Sequence, residues 1–353
     1  MLRKLFSSNY GILCAAVLFF AFVLLALHFR AGGQAAGGTD SFAYYLDFGL
    51  ASAKRITIWT TLVLFSLLLI KTFIFYSTSF KKRRDKTNGI ALNQKSLLVR
   101  ATKSFYRELK EIIKTAAMLA VILFLSITAL AKINFLNRTH LKDEVLLKID
   151  HLLTGGYPFI FLHSLKYPAW FVSAVAFCFL NLPLFLIIAA VYFFWKNKTT
   201  FFKYASAFAL GLAFLFAVWI LVPALSPQDR FIDNVYKLPI PSEISGALAH
   251  YSPQPEIRNF LLKERAYKNG LTDMSTSTMP SAHVFWAFIL GYYLFRKNKK
   301  LFGLVLPILI LSSIGTVFFA QHYFVDVPAA VLVGIFSVAL TEIYFNHHRR
   351  RET

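Results

Sequence analysis

The chain has 353 residues, 57% of them hydrophobic, and a mean hydropathy of +0.57, whereas soluble domains carry roughly 45–50% apolar residues. That much apolar surface excludes a single soluble core and makes lipid the natural solvent. The formal charge of +21 does not mark a nucleic-acid binder, because the Lys and Arg residues occupy loops between apolar runs instead of one soluble face; the positive-inside rule and attraction to anionic headgroups account for it.

The basic start Met1-Leu2-Arg3-Lys4 precedes an apolar run at 11–27, which reads as a retained first helix and not a cleaved signal peptide. A flexible loop follows at 32–38, then a second span at 56–76. Lys81-Lys82-Arg83-Arg84-Asp85-Lys86 opens the most basic connector, 77–114, whose later part (96–113) has the mixed pattern of an interfacial amphipathic helix or a solvated linker. The third span is 115–131. The loop after it balances its lysines with Asp143, Glu144 and Asp150, and its apolar centre at 155–162 is broken by Gly and Pro, as in a re-entrant or interfacial piece. A fourth span at 169–195 carries a kinking Pro183, and the fifth is 204–222. The two cysteines, Cys14 and Cys178, each lie in an apolar run and read as packing residues.

A long, charge-balanced segment at 223–279 leads to three further spans, 282–295, 301–321 and 325–345. The expected fold is therefore an all-α integral membrane bundle of about eight transmembrane helices with both termini cytoplasmic. Loop charge supports this reading, since every concentrated basic run then falls inside and every long balanced loop outside. Both ends of the stretch Met279–Asp326 start spans from the outer, extracytoplasmic side.

That stretch holds the residues suited to chemistry. His322 and Asp326, four apart, share one face of a helix, so the carboxylate can orient the imidazole and stabilise charge on it. His283 follows Pro280-Ser281, a helix start with Ser281 as N-cap, where open backbone N–H groups suit a phosphate. One histidine can attack phosphorus while the other protonates a leaving alcohol. A zinc site of His283, His322 and Asp326 is the alternative, but no further residue has ligand spacing, and His347-His348 falls on the other side of the membrane.

Met279-Pro280-Ser281-Ala282-His283 followed by Gln321-His322-Tyr323-Phe324-Val325-Asp326 resembles the type 2 phosphatidic acid phosphatase superfamily. Within it, the branch of the fungal inositol phosphorylceramide synthases is the most similar, and sphingomyelin synthases are more distant. The resemblance covers about 221–340. It implies His322 as the nucleophile of a phosphohistidine, Asp326 as its orienting partner, His283 as the acid for the leaving group, Ser281 as a phosphate contact, and no metal or cofactor. Thr316 stands where hydrolytic members carry Arg, as in the synthase branch, and the resemblance places it among the phosphate-binding residues. The first phosphatase motif is replaced by Pro223-Ala224-Leu225-Ser226-Pro227-Gln228-Asp229-Arg230, leaving Arg230 first and Lys237 second as the phosphate-binding cation.

The span topology and the resemblance together divide the chain into an N-terminal transmembrane region (1–203), a catalytic membrane core (204–346) and a basic tail (347–353). The resemblance implies a multi-pass enzyme of the plasma or inner membrane. The enzyme would work on a lipid phosphate as a phosphotransferase, moving a headgroup such as inositol phosphate, or as a simple phosphatase. A non-catalytic protein keeping the fold is the other class.

Overall fold

Apolar runs with few breakers can satisfy their backbone groups in lipid only as helices. In the computed structural model, which describes residues 10–30, 94–137, 140–268 and 276–352, the regular structure is helical apart from one isolated parallel bridge between Ala224 and Ser277. The predicted span at 56–76, the basic run at 81–86 and the loop at 32–38 lie outside the described residues.

The described helices are α1 (Gly11–Arg30), α2 (Gln94–Leu136), α3 (Asp143–Thr154), α4 (Pro158–Ser164), α5 (Ala169–Lys196), α6 (Lys198–Leu221), α7 (Ser242–Ala249), α8 (Pro255–Lys268), α9 (Ala282–Lys297), α10 (Lys299–Phe318) and α11 (Asp326–Glu352). A single turn of π-helix, Gln228–Ile232, interrupts the segment after α6. Two helix hairpins turn on one asparagine each. The Asn197 side chain accepts from Thr200 N at 2.9 Å to start α6, and Asn298 accepts from Leu301 N at 3.1 Å to start α10.

Among the described residues, five helices are long and apolar enough to cross a membrane: Ile113–Asn134 within α2, α5, α6, α10, and Asp326–His347 within α11. The pair α3–α4, bent by 62°, makes a sixth if it is one broken span. The predicted count of eight is not supported: the span at 56–76 lies outside the described residues, and two others are short. The apolar part of α1 is short, Gly11–Ala26, and α9 has 16 residues, about 24 Å at 1.5 Å per residue against a hydrocarbon core of about 30 Å. The helix expected at 96–113 is not a separate element either. It is the first half of the 43-residue α2, which runs unbroken into the span predicted at 115–131. The Gly/Pro-broken piece at 155–162 becomes the bend between α3 and α4, where Gly155 takes the left-handed conformation (φ 73°) and its N–H bonds to His151 O at 2.8 Å.

The centre of the bundle is α9, which packs against α5, α6, α10 and α11, while α1 and α2 cover α6 from another side. Two glycines let α9 approach its neighbours. A Cβ on Gly211 of α6 would lie 2.0 Å from the Phe285 ring, and one on Gly334 of α11 would lie 2.4 Å from Phe288. Small residues opposite large ones drive helix association in lipid, where apolar burial alone gives no preference for protein over tails. Gly211→Ala is expected to destabilise the protein by about 1–3 kcal/mol, because Phe285 is fully buried and cannot swing aside. Thermal unfolding of the detergent-solubilised variant checks this, and an unchanged midpoint would refute the close packing.

Candidate active site

The end of the bundle that holds the starts of α9 and α11 is built from three segments. Thr276–Ser281 lies alongside Pro223–Ala224, with Ala224 N bonded to Thr276 O at 3.0 Å and Thr278 N to Ala224 O at 3.3 Å. Asn134 of α2 anchors the same segment, its Oδ1 accepting from Thr276 N and Oγ1 at 3.0 and 3.2 Å. Trp219 Nε1 donates to Pro280 O at 3.2 Å, which fixes the entry to α9.

His322 sits in this frame with Nδ1 between two acceptors, Thr278 O at 2.9 Å and Asp326 Oδ2 at 3.2 Å. Both are met by an Nδ1–H, so the imidazole carries its lone pair on Nε2 in the neutral form. His322 is 9% exposed and Asp326 is fully buried. The pairing differs from the expected one, since His322 and Asp326 do not share a helix face. His322 precedes α11, which begins at Asp326, and a turn brings the two side chains together because Asp326 Oδ2 also accepts from Tyr323 N at 3.0 Å. Such a carboxylate bond to the preceding backbone competes with helix and starts it later. Pro328 is accommodated in the first turn, where its missing N–H costs nothing.

The two motifs, far apart in the chain, meet here. Thr278 O reaches His322, and Ser281 N donates to Asp326 O at 3.4 Å. Ser281 is fully buried and caps α9 through a long bond to Val284 N, 3.4 Å. His283, in the opening turn, stacks on Phe179 of α5 (centroids 4.3 Å, 13° between planes) and lies 5.0 Å from Trp286.

The four predicted phosphate contacts have different surroundings. Arg230, in the π-turn, is 5% exposed. Its Nη2 donates to Pro239 O at 2.7 Å and lies 3.8 Å from Glu144 Oε1, while Nη1 is buried with no hydrogen-bond partner among the described residues. Its charge acts on Asp143 and on Tyr323, the neighbour of His322. Lys237 is exposed in a turn, with φ 52°. The Thr316 hydroxyl is buried and donates to Ser313 O at 2.7 Å within α10, while its carbonyl accepts from both Gln321 N and His322 N at 3.0 Å. Thr316 thus holds the loop that carries His322 through its backbone. Gln228 extends that support, with its N bonded to Ala320 O at 2.9 Å and its Oε1 accepting from Gln321 Nε2 at 2.6 Å.

Two contributors escape sequence reasoning. Asp143 and Asp150, seven apart on α3 and therefore on one face, both turn to the His322–Asp326 turn. Asp143 Oδ1 accepts from Tyr323 Oη at 2.9 Å and from Leu225 N at 2.8 Å; Asp150 accepts from Phe324 N and Val325 N, each at 2.8 Å. Their charge reads in sequence as loop balance. The signal that could reveal them is their spacing, with Leu146 and Leu147 buried between them.

The apolar helices mark a multi-pass membrane protein, and its candidate site sets a buried carboxylate against one histidine, with a second histidine at a neighbouring helix start. The chain belongs to the PAP2 superfamily, whose family model matches residues 144–340. No curated protein and no solved structure matches it. Membership in this superfamily suggests lipid phosphatase or phosphotransferase activity.

Proposed function

We propose that the chain is a membrane-embedded enzyme that takes a phosphoryl group from a lipid phosphate ester onto His322. The observation that carries this reading is the double hold on His322 Nδ1 by Thr278 O and Asp326 Oδ2, which orients Nε2 as the nucleophile. Nε2 forms a bond to phosphorus as the bond from phosphorus to the leaving oxygen breaks, and His283 gives that oxygen its proton. An acceptor hydroxyl then loses its proton to His283 and attacks phosphorus, and the phosphorus–nitrogen bond breaks. Asp326 stabilises the positive ring of the intermediate, with Ser281 and Arg230 as contacts for the phosphoryl oxygens.

Whether water or an alcohol is the acceptor divides a phosphatase from a phosphotransferase. Thr316 supports transfer, because a hydroxyl bonded to Ser313 O leaves the site without the cation that hydrolytic members use there. Transfer of a headgroup such as inositol phosphate, in the manner of the inositol phosphorylceramide synthase branch, is the reading we favour. The loop charges support a site on the extracytoplasmic face of the plasma or inner membrane, with both termini cytoplasmic.

The test is incubation of the purified protein in lipid micelles with phosphatidic acid, a polyprenyl phosphate or phosphatidylinositol, with and without ceramide or free inositol. Transfer predicts a new phospholipid whose formation depends on the acceptor. Phosphate or inositol phosphate release that is indifferent to the acceptor favours hydrolysis. No turnover of any of them by protein that remains folded would overturn the enzymatic reading.

A further inference from the structure

The His322–Asp326 turn is gripped from outside its own helices. Asp150, fully buried, directs both carboxylate oxygens to consecutive backbone amides, Phe324 N and Val325 N, at 2.8 Å each. These two amides lie between the histidine and the carboxylate that orients it, ahead of α11, where backbone donors have no partner within the helix. Asp143, two turns earlier on α3, takes the Tyr323 hydroxyl at 2.9 Å. The other arm of the bent pair reaches the far side of the same loop. His163 of α4 bonds to Phe318 O through Nε2 and to Tyr251 Oη through Nδ1 at 2.6 Å. Since Nε2 faces a carbonyl it carries the proton, so Nδ1 accepts from the tyrosine. The bent pair α3–α4 therefore spans the loop from Phe318 to Val325 and holds it at both ends.

We propose that Asp150 is a positioning residue that sets the aim of His322 by fixing the Phe324–Val325 backbone; the inference rests on His322 being the nucleophile. Charge-assisted bonds to two adjacent amides are stronger than neutral ones and define a plane as well as a distance. A neutral amide cannot replace them: an asparagine side chain at this position would accept one N–H and oppose its own NH₂ to the other. Misplacement of a nucleophile by about 1 Å costs on the order of 10²-fold in rate.

The experiment compares Asp150→Asn and Asp150→Glu with the parent and with His322→Ala. It measures kcat and KM per folded molecule on whichever lipid phosphate the parent turns over, and amide hydrogen exchange in detergent. Asp150→Asn should lower kcat by roughly 10²-fold with KM within about threefold, and should speed exchange in the peptide around 319–327 while α9 and α10 peptides keep their rates. Asp150→Glu, which restores two acceptor oxygens, should recover part of kcat. A purely structural role would lower the amount of folded protein and leave kcat per folded molecule intact, which overturns the proposal, as does unchanged exchange around 319–327. Activity surviving His322→Ala would sink the nucleophile reading instead; the exchange measurement still reports on the clamp without any turnover.

Discussion

Asp326→Asn is expected to lower kcat by about 10³–10⁴-fold, and His322→Ala to remove turnover and the acid-labile phosphoenzyme altogether. The asparagine variant is the more informative, because it keeps the shape and changes the charge. In the parent, Asp326 Oδ2 serves both His322 Nδ1 and Tyr323 N, while Oδ1 is buried with no hydrogen-bond partner among the described residues. An amide oxygen at the Oδ2 position can keep both bonds. What it cannot supply is a negative charge against the ring that, in the proposed mechanism, becomes cationic on phosphorylation, and in a buried site that charge is weakly screened. A loss below tenfold in Asp326→Asn, with folded protein in the membrane, would show that Asp326 only props up the turn.

Arg230→Ala is expected to cost about 10²–10³-fold in kcat/KM, the range for loss of one preorganised donor to a transferring group, and Arg230→Lys nearly as much, since a point charge does not replace a planar fork. Lys237→Ala should leave kcat/KM within about threefold, because an exposed lysine is screened by solvent. The contrast follows from burial. A guanidinium 5% exposed with one nitrogen unpartnered among the described residues is costly to keep without a ligand, and its companion Glu144 is 60% exposed, too solvated to offset that cost. A bound phosphoryl oxygen would supply the missing acceptor. Steady-state kinetics on the three variants decides between the two cations; equal losses at both positions would overturn the assignment to Arg230.

Both sets of effects depend on a site that is partly legible in the sequence. Pro280-Ser281 and His283 name a helix start, and α9 begins at Ala282 with Ser281 as its cap, because capping is decided by residues within one turn. His322 and Asp326 do pair, but for a different local reason than their spacing implies. Four residues apart suits one helix face, whereas the carboxylate bonds back to Tyr323 N and holds the histidine off the helix. The glycine-proline break at 155–162 marks the bend between α3 and α4, though not that Asp150 before it reaches Phe324 and Val325. A carboxylate whose partners are backbone amides leaves no complementary residue type to find, so Asp143 and Asp150 read as loop charge. The motif comparison at Thr316 concerns its side chain, yet its carbonyl makes the contacts to Gln321 N and His322 N.

Short-range chemistry along the chain is enough to establish lipid as solvent, helices as the dominant element, and the candidate residues of the site. How these parts meet follows only from tertiary packing. That packing makes the 16-residue α9 the centre of the bundle, seats Phe285 against Gly211, and brings Asp150 to Phe324 and Val325. Apolar periodicity reports only that a residue is buried. Which backbone atoms it is buried against depends on the packing of several helices at once, and no local pattern encodes that.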